Sequence, residues 1–473
     1  MKNLSEHKKS SGHKSRYLNC RYAKLLVLIM LLFETCAGCI YQDPLEAKVE
    51  KLDRSLGDED INVSYASAYA LIDIGEPSVD CLLESLQDKD PQVRSLSALA
   101  LGRIGDVRAS KPLIEALEDP EPEVRKNSAG ALGDLKSTEA VDPLLKLLSN
   151  EKNDEVRKRA ITSLGYIGDP KAISPLIELF EDEELGSTAA TAVGEFGDEE
   201  TVEKLLPVLK NRDPEVRICG IRALRTMRYR NIKSQEAELC LIELLNDKSA
   251  EVRKEAVTTL SWFNEPEETA LSEQPIINAL EDSDPEVQLA AVYFFWGIRT
   301  KKATPSLERL LENKNPQNLQ IAAIVALGSI RDPEALDSLL SFLGNKNWLV
   351  RKELATSLTK IGGSRAVDSL VFMLGDQNYK VRQNAANGLG KLGDKKAVDP
   401  LLKALETERE EDVRTAEVQA LGKLVGNETE LVGNKTELVG NKTLDTLYRI
   451  STDSEEYRSV RTAAEEAINK AKK

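Results

Sequence analysis

One dipeptide, recurring at a nearly constant interval, constrains this chain more than any other feature. Val-Arg stands at Val93-Arg94, Val124-Arg125, Val156-Arg157, Val216-Arg217, Val252-Arg253, Val350-Arg351, Val381-Arg382 and Val413-Arg414. Degenerate copies at Val63-Ser64, Leu185-Gly186, Val287-Gln288 and Leu319-Gln320 fill the intervals in phase. A period of about 31 residues is the signature of a solenoid, in which one unit buries its apolar surface only by stacking on the next.

Each unit reads as two helices. In the unit starting at Ala109, the first helix carries Leu113, Ile114 and Leu117, and the second carries Val124, Ser128, Ala131, Leu132 and Leu135. Counting the Val as position 0, the second set falls at 0, 4, 7, 8 and 11, one stripe of helical period. Small residues at the central positions, such as Ala385, Ala386 and Gly388, let neighbouring helices approach closely. Asp90-Pro91, Asp213-Pro214 and Asp284-Pro285 supply an N-cap acceptor and a first-turn proline before second helices. Gly75, Gly105, Gly168, Gly197, Gly362 and Gly393 follow the last apolar position, where a helix ends. No strand-period segment competes, so the expected fold is an all-α right-handed superhelix of about thirteen two-helix repeats.

The last copy, Val460-Arg461, lies 47 residues beyond Val413. A tandem duplication accounts for the excess: a seven-residue Leu-Val-Gly-Asn unit begins at Leu424, Leu431 and Leu438. We therefore expect repeats over 46–423, an insertion loop over 424–443 and a capping repeat over 444–473.

These residues resemble the HEAT repeat family, more narrowly the short HEAT-like repeats named after phycobilisome lyases. The family pattern stands here as Pro112-Leu113-Ile114, Asp119, Val124-Arg125 and Ala131-Leu132-Gly133, with Leu101-Gly102-Arg103-Ile104-Gly105-Asp106 in the preceding copy. The resemblance spans about residues 46–471 and implies a protein-binding scaffold. It also implies a structural ladder between layers for the pairs that keep a six-residue separation: Asp88 and Arg94, Asp119 and Arg125, Asp247 and Arg253, Asp376 and Arg382.

Enzymatic relatives of the family set two alternatives. A di-iron hydroxylase needs His-Glu pairs on successive helices, but the chain's two histidines are His7 and His13, both ahead of the repeats. That chemistry, and any His-based triad or metal cluster in the repeats, is excluded. A bilin-lyase-like accessory protein acting on a partner protein remains as an alternative, and a structural cell-envelope component as a third. Neither a nucleophile–base pair nor a phosphate loop is visible, so we expect no enzyme, no cofactor and no metal. A formal charge of −15 argues against nucleic acid as partner.

The N-terminus reads as a targeting segment. Residues 1–24 carry seven Lys or Arg against one acid, and an apolar run follows over 25–33. Nine helical residues reach roughly 14 Å, short of the ~30 Å hydrocarbon core, so this is a signal-peptide core before it is a membrane span. Thr35-Cys36-Ala37-Gly38-Cys39 resembles the lipobox of secreted lipoproteins, which implies lipidation of Cys39, a signal peptide over 1–38 and a linker over 39–45. The expectation is a lipid-anchored protein on the extracytoplasmic face of the membrane. An uncleaved signal anchor and a cytoplasmic protein are the alternatives. On export, the sequons at Asn62, Asn427, Asn434 and Asn441 become glycan acceptors.

The array is least regular between about residues 210 and 320. Arg222, Arg225 and Arg228 recur every three residues on one helical face, and Trp262 and Tyr293 occupy positions that are polar in other copies. These five are the candidate partner-binding residues. Phe263 and Phe295 fall at core positions, and Cys81, Cys219 and Cys240 read as small helix residues of the interior.

Overall fold

The structure, a computed structural model, describes residues 44–227, 234–263, 271–312, 315–425 and 434–471. Among them every regular element is an α-helix or a short 3-10 turn. The chain divides into two compact units, residues 1–240 and 241–473.

The first unit stacks helix pairs in series. Pro44–Arg54 pairs with Ile61–Ile74, Val79–Ser85 with Pro91–Ile104, and Ser110–Glu115 with Pro122–Asp134. Val141–Asn150 with Asp154–Ile167, Ile173–Glu178 with Gly186–Phe196, and Glu199–Val208 with Pro214–Met227 continue the series. The second unit repeats the scheme after Ala250–Phe263: Glu273–Ala279 with Pro285–Gly297, Thr304–Arg309 with Gln317–Ile330, Leu336–Leu340 with Trp348–Ile361, Ser364–Met373 with Tyr379–Leu392, and Val398–Thr407 with Glu411–Val425. Asn434–Thr452 with Arg458–Ala471 closes it.

The signals read from sequence act locally as expected. Asp90 and Asp284 each accept a hydrogen bond from the backbone N–H two residues on, at 2.9 and 2.8 Å. Gly105 and Gly393 close their helices in the left-handed conformation, φ 81° and 72°. In each unit, second helices pack on second helices along the stack while first helices stay with their own partners. The glycine of the Ala-Leu-Gly motif makes this possible. A Cβ on Gly102 would lie 2.5 Å from Ala131, and one on Gly390 2.7 Å from the Ala420 backbone. The Val at position 0 is fully buried at Val124, Val252, Val350, Val381 and Val413, within an aliphatic core that runs the length of each unit.

One boundary differs from the sequence reading. Residues 424–443 are not a loop throughout: Leu424 and Val425 end the helix Glu411–Val425, and the helix Asn434–Thr452 begins inside the duplicated segment. Residues 426–433 lie outside the described residues. The duplicated unit contains no proline and repeats every seven residues, close to two helical turns, so its copies can extend a helix. Among the described residues no helix is long and apolar enough to cross a membrane. Residues 1–43, with the signal segment and Cys39, lie outside them.

Candidate functional site

Two surfaces are built by the repetition itself: a charged edge at the turns between helices, and an open face on the side of the second helices turned away from the first.

The edge is a ladder whose connectivity differs from the sequence expectation. The guanidinium of Arg94 does not pair with the carboxylate of Asp88; its Nη1 takes the Asp88 backbone carbonyl at 2.8 Å. Its Nε and Nη2 instead grip the carboxylate of Asp119 in the next repeat, at 2.7 and 3.0 Å. Arg125 in turn bonds the Asp119 carbonyl at 2.8 Å and the Glu151 carboxylate at 2.6 Å. Arg253 takes the Asp247 carbonyl at 2.9 Å and both oxygens of Asp282 at 2.7 Å. Arg351 holds Asp376 at 2.6 and 2.7 Å, and Arg382 takes the Asp376 carbonyl at 2.9 Å and Glu408 at 2.6 and 2.9 Å. Arg414 pairs with Glu456.

Each acid thus serves two layers, its carboxylate facing backward and its carbonyl facing its own repeat. The reason is geometric: six residues across the turn bring the Arg stem beside the backbone, while the carboxylate is already capping the helix ahead. Asp119 accepts the Glu121 N–H at 2.9 Å, and Asp376 the Asn378 N–H at 2.8 Å. Where the Arg is replaced by Gln320, the amide keeps the carbonyl contacts alone, to Leu311 and Glu312 at 3.3 and 2.8 Å.

These ion pairs are largely out of water, the Arg253–Asp282 side chains being 12% and 11% exposed. Burial works to raise the Asp119, Asp282, Asp376 and Glu408 carboxyls, yet the Arg hydrogen bonds and backbone N–H groups hold each below its ordinary value. The Glu151 carboxyl is lowered chiefly by Arg125. Two other acids behave in the opposite sense. Burial pushes Glu417 up to about 8, and neither of its oxygens has a hydrogen-bond partner. Burial pushes Asp53 up to about 6, against a 2.7 Å hydrogen bond from Ser85.

The open face carries the exposed aromatics. Tyr293 is 52% exposed and its ring lies 6.2 Å from that of Trp296, itself 50% exposed. Phe294 and Phe295 point inward and meet edge to face at 5.0 Å. In the first unit Tyr166 is also exposed and borders a pocket of about 250 Å³ with Thr162, Thr191 and Glu195. Sequence reasoning singled out Tyr293 but neither Trp296 nor Tyr166. Tyr166 stands at position 10 of its copy, and aligning that position through the copies would have found it.

The other expected residues fare differently. Arg222 and Arg225 sit half-buried on the helix Pro214–Met227 and both are engaged with neighbouring groups. Arg228 and the Trp262 side chain lie outside the described residues, as do Cys39, Asn427 and the side chains of Asn434 and Asn441. Asn62 is exposed near the start of its helix, its amide donating to Asp60 at 3.0 Å. Cys219 is buried and burial raises its thiol to about 11, whereas Cys81 and Cys240 are only half-buried. No cluster of His, Cys, Asp or Glu able to hold a metal occurs among the described residues.

On the first-helix side of the first unit, a groove of about 770 Å³ runs between Ile114, Leu117, Pro143 and Leu147. An exposed Lys146–Glu118 pair at 2.8 Å crosses it.

Comparison with known proteins places this architecture. The family described as HEAT repeats matches residues 49–121, 110–187, 273–347, 316–379, 336–422 and 372–469. No curated protein sequence matches the chain. Among solved structures, the karyopherin Kap121p bound to Pho4p is 13% identical with a TM-score of 0.64, covering 94% of this chain and 57% of that one. Kap95p, described in terms of binding that switches the loops of RanGDP, is 14% identical with a TM-score of 0.60, over 90% of this chain and 66% of that one. Importin beta is 15% identical with a TM-score of 0.52, over 89% and 61%. The chain spans roughly three-fifths of the length of these neighbours, and at such identity the likeness is one of fold. With more than half its length matched and the Val-Arg turns serving as rungs between stacked helix pairs, the chain belongs to the HEAT repeat family.

Proposed function

We propose that this protein is a non-catalytic scaffold that binds a protein partner along the open face of its second helices, and that it works exported and lipid-anchored through Cys39. The observation that carries the binding role is the placement of large aromatics where stacking gains nothing. Tyr166, Tyr293 and Trp296 are each about half exposed on that face, while comparably large side chains such as Phe180, Phe294 and Phe295 are buried. Rigid amphipathic rings on an open face are the usual anchors of protein recognition. The ladder is excluded as the binding element, because its charges are already spent on one another. Fold neighbours described in complexes with proteins support the reading by analogy. The anchoring rests on the basic start, the short apolar run and Cys39.

The test is site-specific photo-crosslinking in the native host, with a benzophenone side chain at Tyr166, at Tyr293 and, as a first-helix control, at the exposed Phe372. Crosslinks to protein from the open-face positions are expected. Their absence, or equal yield from Phe372, overturns the binding role. The mass of the same product tests the anchor: a chain beginning at Cys39 with added lipid is expected, and an unprocessed soluble chain overturns it.

A further inference from the structure

At position 10 of the second helices, the last four repeats all carry lysine: Lys360, Lys391, Lys423 and Lys470. In the first unit the same position holds Asp73, Arg103, Asp134, Tyr166, Glu195 and Thr226, and Arg103 lies 3.8 Å from Asp134. Mixed signs there neutralise one another. In the second unit the sign is uniform, within a chain of formal charge −15. Lys391, Lys423 and Lys470 are exposed. Lys360 reaches back to Ser329 at 3.2 Å, and the aliphatic stem of Lys423 passes over the Gly390 position. No ion pair or hydrogen bond to the Lys391 or Lys423 side chain occurs among the described residues. Of the acids on this side, Glu353 is held by Lys352 at 2.9 Å, and the exposed Glu466 stands on the last helix.

We infer that this lysine row binds an extended acidic segment of a partner protein; the inference rests on the scaffold reading above and gives it a ligand chemistry. Packed helices lie about 8–10 Å apart, so consecutive lysines are separated by about that distance. An extended polyproline-type chain advances about 9 Å every three residues, which places a carboxylate at every third residue beside successive lysines. The side chains between the lysines are Thr356, Asn387 and Gln419, which can bond a peptide backbone. A single-stranded nucleic acid would need aromatic platforms along the track, and the only exposed aromatic pair of this face in the second unit, Tyr293 and Trp296 among the described residues, lies before the row begins. The acidic remainder of the chain also repels a long polyanion, while a short acidic peptide meets only the local field.

The experiment measures fluorescence anisotropy of a labelled peptide of about twelve residues, with Glu at every third position, against the full chain at low salt. Saturable binding is expected, weakened by added salt and at least tenfold weaker in the K360E/K391E/K423E protein. A control of equal charge change, K346E/K396E/K403E, lies on other surfaces and is expected to bind like wild type. No saturable binding, or equal loss in the control, overturns the inference, and so does equal or tighter binding of an oligothymidine of the same charge. Should the triple Glu protein melt early, the triple Gln protein carries the comparison, with an intermediate loss expected. Open-face photo-crosslinks that persist while the lysine variants change nothing would sink this inference alone. Loss of those crosslinks sinks the scaffold reading itself.

Discussion

At the scale of single residues, the same interior that holds the ladder also contains a carboxyl with no counter-charge. Glu417 stands at position 4 of its helix, where other copies carry Ser, Ala, Gly or Leu, and both of its oxygens are buried without a partner. With the folded carboxyl raised to about 8 and an ordinary value of 4.5, the folded state keeps a proton that the unfolded state releases. Its contribution is therefore fully present below about pH 4.5 and is lost as pH rises through about 8. Glu417→Gln should melt higher than wild type at pH 7, by the equivalent of about 2–3 kcal/mol, and the gain should vanish near pH 4. A melt unchanged at pH 7 would contradict the buried, neutral assignment. Rung acids have the reverse sign: Asp119 and Glu408 are lowered, so their contribution is present above the ordinary carboxylate range and lost as pH falls through their folded values. The consequence for Arg253 is direct. Arg253→Glu leaves Asp282 facing a like charge in a largely buried site and should cost about 3 kcal/mol, read as an earlier melt of the second unit. Partner binding elsewhere on the molecule should survive in the remaining folded fraction.

At the scale of helices, the repeat was legible because each element carries its own start, stop and stripe. Asp90 and Gly105 bound a helix whose interior positions could be counted from Val93 alone. What the sequence did not reveal was the partner of each charge. Asp119 and Arg125 are six residues apart and do touch, but through a carbonyl, since the carboxylate is committed to Arg94. A spacing within one repeat cannot specify a contact made between two. The duplicated stretch misled for a related reason: Gly and Asn every seven residues read as turn signals, whereas the helical period of the same residues prevails from Asn434 onward. Close approach of second helices yields a prediction at this scale. Gly390→Ala places a Cβ 2.7 Å from the Ala420 backbone, and separating the two helices should cost about 1–3 kcal/mol. The same substitution at Gly297, where a Cβ would meet nothing within 4 Å, should leave the melt within about 0.5 kcal/mol of wild type.

At the scale of the molecule, repetition gives every layer the same rung and frees the open face to differ from layer to layer. Tyr293 was visible as a departure from its column, but the lysine row was not, because Lys is ordinary at any one exposed position and informative only as a series. The rungs also record how the chain has changed length. Most join residues 25 to 29 apart, whereas Arg414 reaches Glu456 across 42, and the duplicated copies lie between them. Seven residues are nearly two full helical turns, so each added copy rotates the distal part of the helix by only about 20°. Replication slippage can thus lengthen or shorten this segment in steps that return the distal helix to almost the same azimuth, a ratchet with a tooth of seven. Deleting residues 431–437 should leave the Arg414–Glu456 contact and the melting temperature intact, while deleting five residues from the same place turns the helix by more than a right angle and should unfold the final repeat.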